Sequence, residues 1–445
     1  MSRRYNHYLS LVVVLLLGLA ISLIPANPVL GSPQPSGIQV QQSITLQNPV
    51  SNSLVRYSHT LFVSSNGTPT GNGTSLLAAM TIISNSNPTA ATPYLLKLEP
   101  GQYDLGNQAL TLLSYVDLEG SGEDITVISS TIGSSTVPPS GTLIVPSYSE
   151  TRFLKVANSG SSAYQTAIFL PANAINARFT HVTASASGGT NSYGLYNYFG
   201  TFTVQESTFS ASGGTNSSGL YNNLGIFTVQ NSTFSASGGT NSFGLYNTSG
   251  TATVQNSTFS ASTGITNTGF YNYNLATAVV QNSTFSASGG TNSFGFQNDG
   301  TSTVRNSTLT ASGGSFNLGF YNNLGTSTVQ NSTLSASASG VATSSNEGLS
   351  NYSTLTVQNS TLTASGGSTS YGLYNSSGSA STVQNSTLSA SGGTTNYALN
   401  NTAGTIKVGA SQLASLPISS NTGLGASICI NSYNANFTAL NSSCL

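Results

Sequence analysis

From about residue 200 to about residue 400 the apolar positions fall into a pattern that recurs about every 25 residues. The unit from Phe227 to Gly250 shows how it works. Val229 and Phe234 are apolar and five positions apart. A strand alternates with period two, so both side chains face one interior only if a turn separates them. Gln230-Asn231 supplies that turn, because Asn tolerates left-handed backbone angles. Thr233 to Ser237 then alternates outward and inward, and Gly238-Gly239-Thr240-Asn241 turns again. Phe243-Gly244-Leu245-Tyr246 is a third strand with Leu245 inward, and Thr248-Ser249-Gly250 leads into the next unit.

Three short strands and three turns per unit predict an all-β fold, a single right-handed parallel β-helix. Each strand pairs with its equivalent one coil away, about 4.8 Å along the axis. Three interior columns follow from the register. One is Val204, Val229, Val254, Val280, Val304, Val329, Val357 and Val383. The second is Phe209, Phe234, Phe259 and Phe285, continued by Leu309, Leu334, Leu362 and Leu388. The third is Leu220, Leu245, Phe270, Phe296, Phe320, Leu349, Leu373 and Leu399. A coil cannot bury these residues alone, so the array folds cooperatively or not at all.

The flanks differ. Residues 1–32 read as a secretory signal, with Arg3 and Arg4 ahead of an apolar run from Leu9 to Ile24 and small residues after Pro25. An uncleaved anchor is the alternative; either way the folded part lies outside the cytoplasm. Residues 33–56 are a polar linker. Residues 57–130 hold an N-terminal cap and the first coils. Thr74 is placed to cap a helix over Ser75 to Ser84, after Gly71-Asn72-Gly73 ends a strand-like segment. Residues 131–404 carry the repeats, irregular up to about residue 180. Residues 405–445 break the pattern as a C-terminal cap.

Composition narrows the function classes. Only 4% of the 445 residues are charged and the net charge is −1. That leaves no electrostatic footprint for nucleic acid or anionic lipid. The two cysteines, Cys429 and Cys444, both lie in the last segment. In an oxidising compartment they could pair; otherwise they are two small unpaired residues. No spacing suggests a metal or a cofactor.

The segment Pro100 to Leu105, then Tyr115 to Gly122 and Thr126 to Ile128, resembles the first coils of pectate-lyase-like β-helix proteins. The helix before it resembles their capping helix. The resemblance implies a secreted or cell-surface protein, polysaccharide or a cell-envelope surface as partner, and, in enzymes of this kind, acidic clusters on the wall. Hydrolysis of a glycosidic bond needs two carboxylates about 5–10 Å apart. From residue 200 to 404 the only charged residues are Glu206, Asp299, Arg305 and Glu347. Glu206 and Asp299 are several coils apart and cannot pair. No catalytic residue is therefore assigned. Asp117, Glu119, Glu123 and Asp124 form the densest acidic group, and Glu150 with Arg152 reads as a surface ion pair. His59 and His181 read as isolated.

Three outward ladders remain. Asn231, Asn256, Asn282, Asn306, Asn331, Asn359 and Asn385 recur at the turn, and a second Asn follows each third strand, as in Asn222 and Asn247. Both read as structural amide stacks. Tyr196, Tyr221, Tyr246, Tyr271, Tyr321 and Tyr374 each follow an inward residue and so point outward. They either stack across coils or present a platform to sugar rings. Thr208/Ser210 and its equivalents give a flat hydroxyl face, similar to those of β-helical ice-binding proteins. The leading expectation is a structural or adhesive β-helix without catalysis. The alternatives are a polysaccharide-binding wall built on the tyrosines, residual lyase or hydrolase activity, and ice binding.

Overall fold

The turn chemistry expected at Asn231 sets the geometry of every regular coil. The computed structural model describes residues 57–338, 344–415 and 426–445, and the backbone of Ile38–Gln42. The expected signal segment and the rest of the linker lie outside the described residues. Asn231, Asn256, Asn282, Asn306, Asn331, Asn359 and Asn385 all adopt φ between 48° and 51°. Each sits between a first strand such as Ile226–Gln230 and a second such as Thr233–Ser237. A side-chain amide tolerates this region where most residues do not. The bend lets Val229 and Phe234 face the same interior, and both are fully buried.

The result is a right-handed parallel β-solenoid of about 13 turns. Third strands such as Asn216–Asn223 and Asn241–Thr248 form a 12-stranded sheet, while first and second strands fall in a 28-stranded sheet. Register is kept coil to coil: Val204 opposes Val229, Phe209 opposes Phe234, and Leu220 opposes Leu245. Every member of the three expected columns is fully buried. Phe209, Phe234, Phe259 and Phe285 stack within 8° of parallel, with centroids 5.0–5.1 Å apart.

The interior also holds a polar column. Asn197, Asn222, Asn247, Asn272, Asn298, Asn322, Asn351, Asn375 and Asn401 are buried. Each amide nitrogen from Asn197 to Asn375 donates to the amide oxygen of the next member, at 2.7–3.1 Å. These are the residues expected in the turn after the third strand. They lie inside, where an unpaired amide would be costly and a continuous ladder removes that cost.

The capping helix is longer than expected. It runs Pro69–Asn85, with Thr68 as its cap accepting from the Gly71 N–H and Pro69 at the first turn. Proline is pre-shaped for that position and loses no hydrogen bond there. Gly71, Asn72 and Gly73 are therefore inside the helix. Gly73 is required: a Cβ there would lie 2.0 Å from the Asp104 carbonyl oxygen. At the other end the register continues past residue 404, through Thr405–Gly409 to Ala426–Ile430. Cys429 and Cys444 form a disulfide that ties this last strand to the C-terminus.

Candidate functional site

The described charges concentrate in the first coils, and there they form a closed network rather than the surface pair expected for Glu150 and Arg152. The parallel register brings Lys97, Glu119 and Arg152 into one outward column, with Asp117 and Glu150 beside it. The Arg152 guanidinium reaches Glu119 at 2.6 Å, Glu150 at 3.0 Å and Asp117 at 3.6 Å. Tyr57 donates to Asp117 at 2.6 Å and accepts from Arg152 at 2.9 Å. The Glu150 N–H donates to the other Asp117 oxygen at 2.7 Å. Lys97 donates to Glu119, and Thr180 donates to Glu150 at 2.9 Å.

Burial pushes the Asp117 carboxyl above its ordinary value, against the pull of Tyr57, the Glu150 N–H and Arg152. Burial would raise Glu119 too, but hydrogen bonds from Lys97 and Arg152 outweigh it and hold that carboxyl down. Two carboxylates on one guanidinium have the proximity that hydrolytic chemistry asks for. All six oxygens of Asp117, Glu119 and Glu150 are, however, already hydrogen-bonded within the network. The arrangement clamps coils together.

His181 is not isolated. It occupies the left-handed turn position one coil before Glu206, at φ 52°. Its Nε2 lies 2.8 Å from Glu206 and its Nδ1 3.9 Å from Glu123, and its ring stacks on Phe153 at 5.1 Å. His59 stacks on Tyr94 at 4.8 Å. Among the described residues no group of three or more His, Cys, Asp or Glu could hold a metal ion.

The tyrosine ladder has a different character. Tyr196, Tyr221, Tyr246 and Tyr271 lie in register on the outer face of the 12-stranded sheet, apart from the main core. A second aromatic column stands three positions earlier, at Tyr193, Phe243, Phe294, Tyr371 and Tyr397. Strict alternation would put Phe243 on the inner side with Leu245. The glycine between them prevents this. A Cβ on Gly244 would lie 2.5 Å from the Gly269 carbonyl oxygen and 2.8 Å from the Ser260 nitrogen. The pairing with both neighbouring strands skips Gly244, and Phe243 stacks on Tyr246 outside, at 5.0 Å. The two columns make an aromatic wall in which Tyr196 is buried and the other ladder tyrosines are half-buried. Tyr196 and Tyr221 are nearly coplanar at 9°, whereas Tyr221–Tyr246 and Tyr246–Tyr271 are tilted by 55° and 38°. Burial first, and neighbouring phenols next, raise the Tyr196, Tyr221 and Tyr246 hydroxyls, so they stay protonated donors. Exposed apolar side chains border the wall at the adjoining turn, Phe199, Leu224, Leu275 and Leu324.

The ladder is interrupted twice, at Gln297 and at Ser350, and a buried carboxyl accompanies each break. Asp299 bridges the first. It accepts from Tyr271 at 2.7 Å and from Asn323 at 2.9 Å, and Asn323 in turn accepts from Tyr321 at 3.0 Å. At the second break Tyr352 fills the missing place, 5.7 Å from Tyr321 and 5.8 Å from Tyr374. Glu347 stands in the other aromatic column, between Leu318 and Tyr371 in register, and is 6% exposed. Its Oε2 has no hydrogen-bond partner among the described residues, and neither has Ser350 Oγ. Burial pushes this carboxyl up to about 7. Neither the second aromatic column nor the place of Glu347 within it was expected from the sequence.

The remaining ladders are plainer. Thr208, Thr233 and Thr258 are exposed, while Ser210, Ser235 and Ser260 beside them are half-buried. The exposed Asn column at the turn makes side-chain links only among Asn256, Asn282 and Asn306 in the described structure.

No family model and no curated protein matches the chain. Solved structures with a similar course include the A-module of the Azotobacter vinelandii mannuronan C-5 epimerase AlgE6. It is 12% identical over 82% of this chain and 95% of that one, with a TM-score of 0.46. The Dettilon tailspike protein is 10% identical over 73% and 65%, with a TM-score of 0.48. A carrot pectin methylesterase is 13% identical over 66% and 86%, with a TM-score of 0.39. The strand register and turn geometry of the chain itself define what it is: a right-handed parallel β-helix.

Proposed function

We propose that this chain is a non-catalytic, secreted or cell-surface β-solenoid that adheres to polysaccharide along its aromatic wall. The observation that supports this reading is the doubled, outward aromatic face of the 12-stranded sheet. Tyrosine offers sugars an apolar ring and a polar tip. Rows of tilted rings one coil apart suit a long polymer better than one small molecule, because each contact is weak and many are made together. The first coils support the non-catalytic part of the reading, since the Arg152 network occupies the carboxylate oxygens that chemistry would need. The same stack also stiffens the rod, and adhesion asks for that as well.

The test is a polysaccharide panel presented to the protein from residue 33 onward, beside a variant carrying Tyr221→Ala, Tyr246→Ala and Tyr271→Ala. Binding that falls about tenfold or more in a variant with unchanged circular dichroism is the expected result. Binding that survives the triple change, or release of reducing ends from any polymer, would overturn the proposal.

A further inference from the structure

The ten strands of the 12-stranded sheet that carry the wall, from Tyr164–Leu170 to Thr395–Asn401, contain no Lys, Arg or His and a single acid, Glu347. Asp299, next to the strand Asn292–Asn298, adds a second acid on the same side, bound by Tyr271. Arg305 and Lys407 lie on first strands, in the other sheet. We propose that the aromatic wall selects neutral polysaccharide and excludes acidic polysaccharide, since the only formal charges set into it are negative and no cation accompanies them. This rests on the polysaccharide-binding reading above and names the class of polymer it takes.

The physics is that of charge in a poorly screened layer. Glu347 stands among Leu318 and Tyr321 of the preceding coil, Tyr371 of the following one, and Ser350 and Tyr352 of its own. None of these groups carries positive charge. A carboxylate held among aromatic rings is felt several ångströms away, because little water lies between to screen it. A uronic acid residue laid on Tyr321 or Tyr374 would bring a second negative charge against it. A neutral sugar brings no second charge and meets no such repulsion. Exclusion of like charge is the repulsive element that selectivity needs. Since Glu347 gains its charge around pH 7, exclusion strengthens as pH rises through neutrality.

The experiment compares a neutral glucan oligosaccharide with a polyuronate of matched length, by calorimetry at about pH 5.5 and about pH 8.5. The proteins are the parent, the tyrosine triple variant, and Asp299→Asn with Glu347→Gln. The expected result is neutral binding at both pH values, with the polyuronate about tenfold weaker or worse at the higher pH. The gap should narrow at the lower pH and in the Asn/Gln variant. Both substitutions keep side-chain shape, and a melting curve confirms that the variant is folded. Polyuronate binding as tight as neutral binding at the higher pH, and lost in the triple variant, would overturn the selectivity while leaving the wall as the binding site. No binding of either polymer would overturn both.

Discussion

The first coils and the regular array treat buried charge in opposite ways. Around Arg152 every carboxylate oxygen of Asp117, Glu119 and Glu150 is hydrogen-bonded, and Arg152 contacts all three acids. In the array Glu347 stands among aromatic rings with one oxygen unpartnered among the described residues. The two regions share one architecture, so the difference lies in side chains alone. Acids in a closed network share one cation and tie distant segments together. An acid placed singly in an aromatic wall gives up stability, and a surface reading of it is worth more than a structural one.

The comparison breaks most clearly on Arg152. Arg152→Met leaves three half-buried carboxylates without their common partner, and should cost about 3–5 kcal/mol in denaturant unfolding. Arg305→Met should change stability by less than about 0.5 kcal/mol, because Arg305 only donates to Gln330 at an exposed site. Equal effects of the two would erase the distinction.

Glu347→Gln should act with the opposite sign. The unfolded carboxyl ionises near its ordinary value of 4.5, and the folded one keeps its proton up to about 7. Stability of the parent therefore falls as pH rises across that window and is level outside it. The Gln variant should lose this slope and be more stable by roughly 3 kcal/mol above neutrality. A parent whose melting temperature is flat from about pH 4.5 to about pH 7 would show that Glu347 is not held neutral.

The smallest effect is expected at the seam between the two regions. Glu206 holds the turn place that Asn holds in later coils, at φ 49°, and faces His181. Glu206→Asn restores the array's residue and removes an exposed pair. Melting at neutral pH should move by no more than about 0.5 kcal/mol equivalent. A larger loss would extend the charged network one coil further than its hydrogen bonds do.

The sequence made the array legible and the first coils only partly so. Val229, Phe234 and Leu245 recur at constant spacing, so one coil read correctly gives all of them. The Tyr ladder followed from the same register. Phe243 was hidden because Gly244 breaks the two-residue alternation, and the close approach of the Gly269 carbonyl oxygen and the Ser260 nitrogen to that glycine explains its place. Glu347 was visible as a residue, but its meaning depends on the column it interrupts. The Arg152 network was illegible for a different reason. Tyr57, Lys97, Glu119 and Arg152 are separated by irregular intervals, so no period brings them together; only the parallel pairing of first strands does.

The conserved register of the buried Asn ladder has one more consequence. Asn197, Asn222 and Asn247 are linked at a separation of 25 residues, and each offers the next coil the same amide edge that it received. Coils such as these three are therefore interchangeable parts. Duplication or loss of one complete turn creates no foreign interface, since the new neighbours present the same amide, valine and aromatic edges as the old. A gene of this kind can change the length of its product by recombination between its own repeats and leave every junction native. Length becomes a variable separate from foldability, and the reach of the aromatic wall can be adjusted a turn at a time.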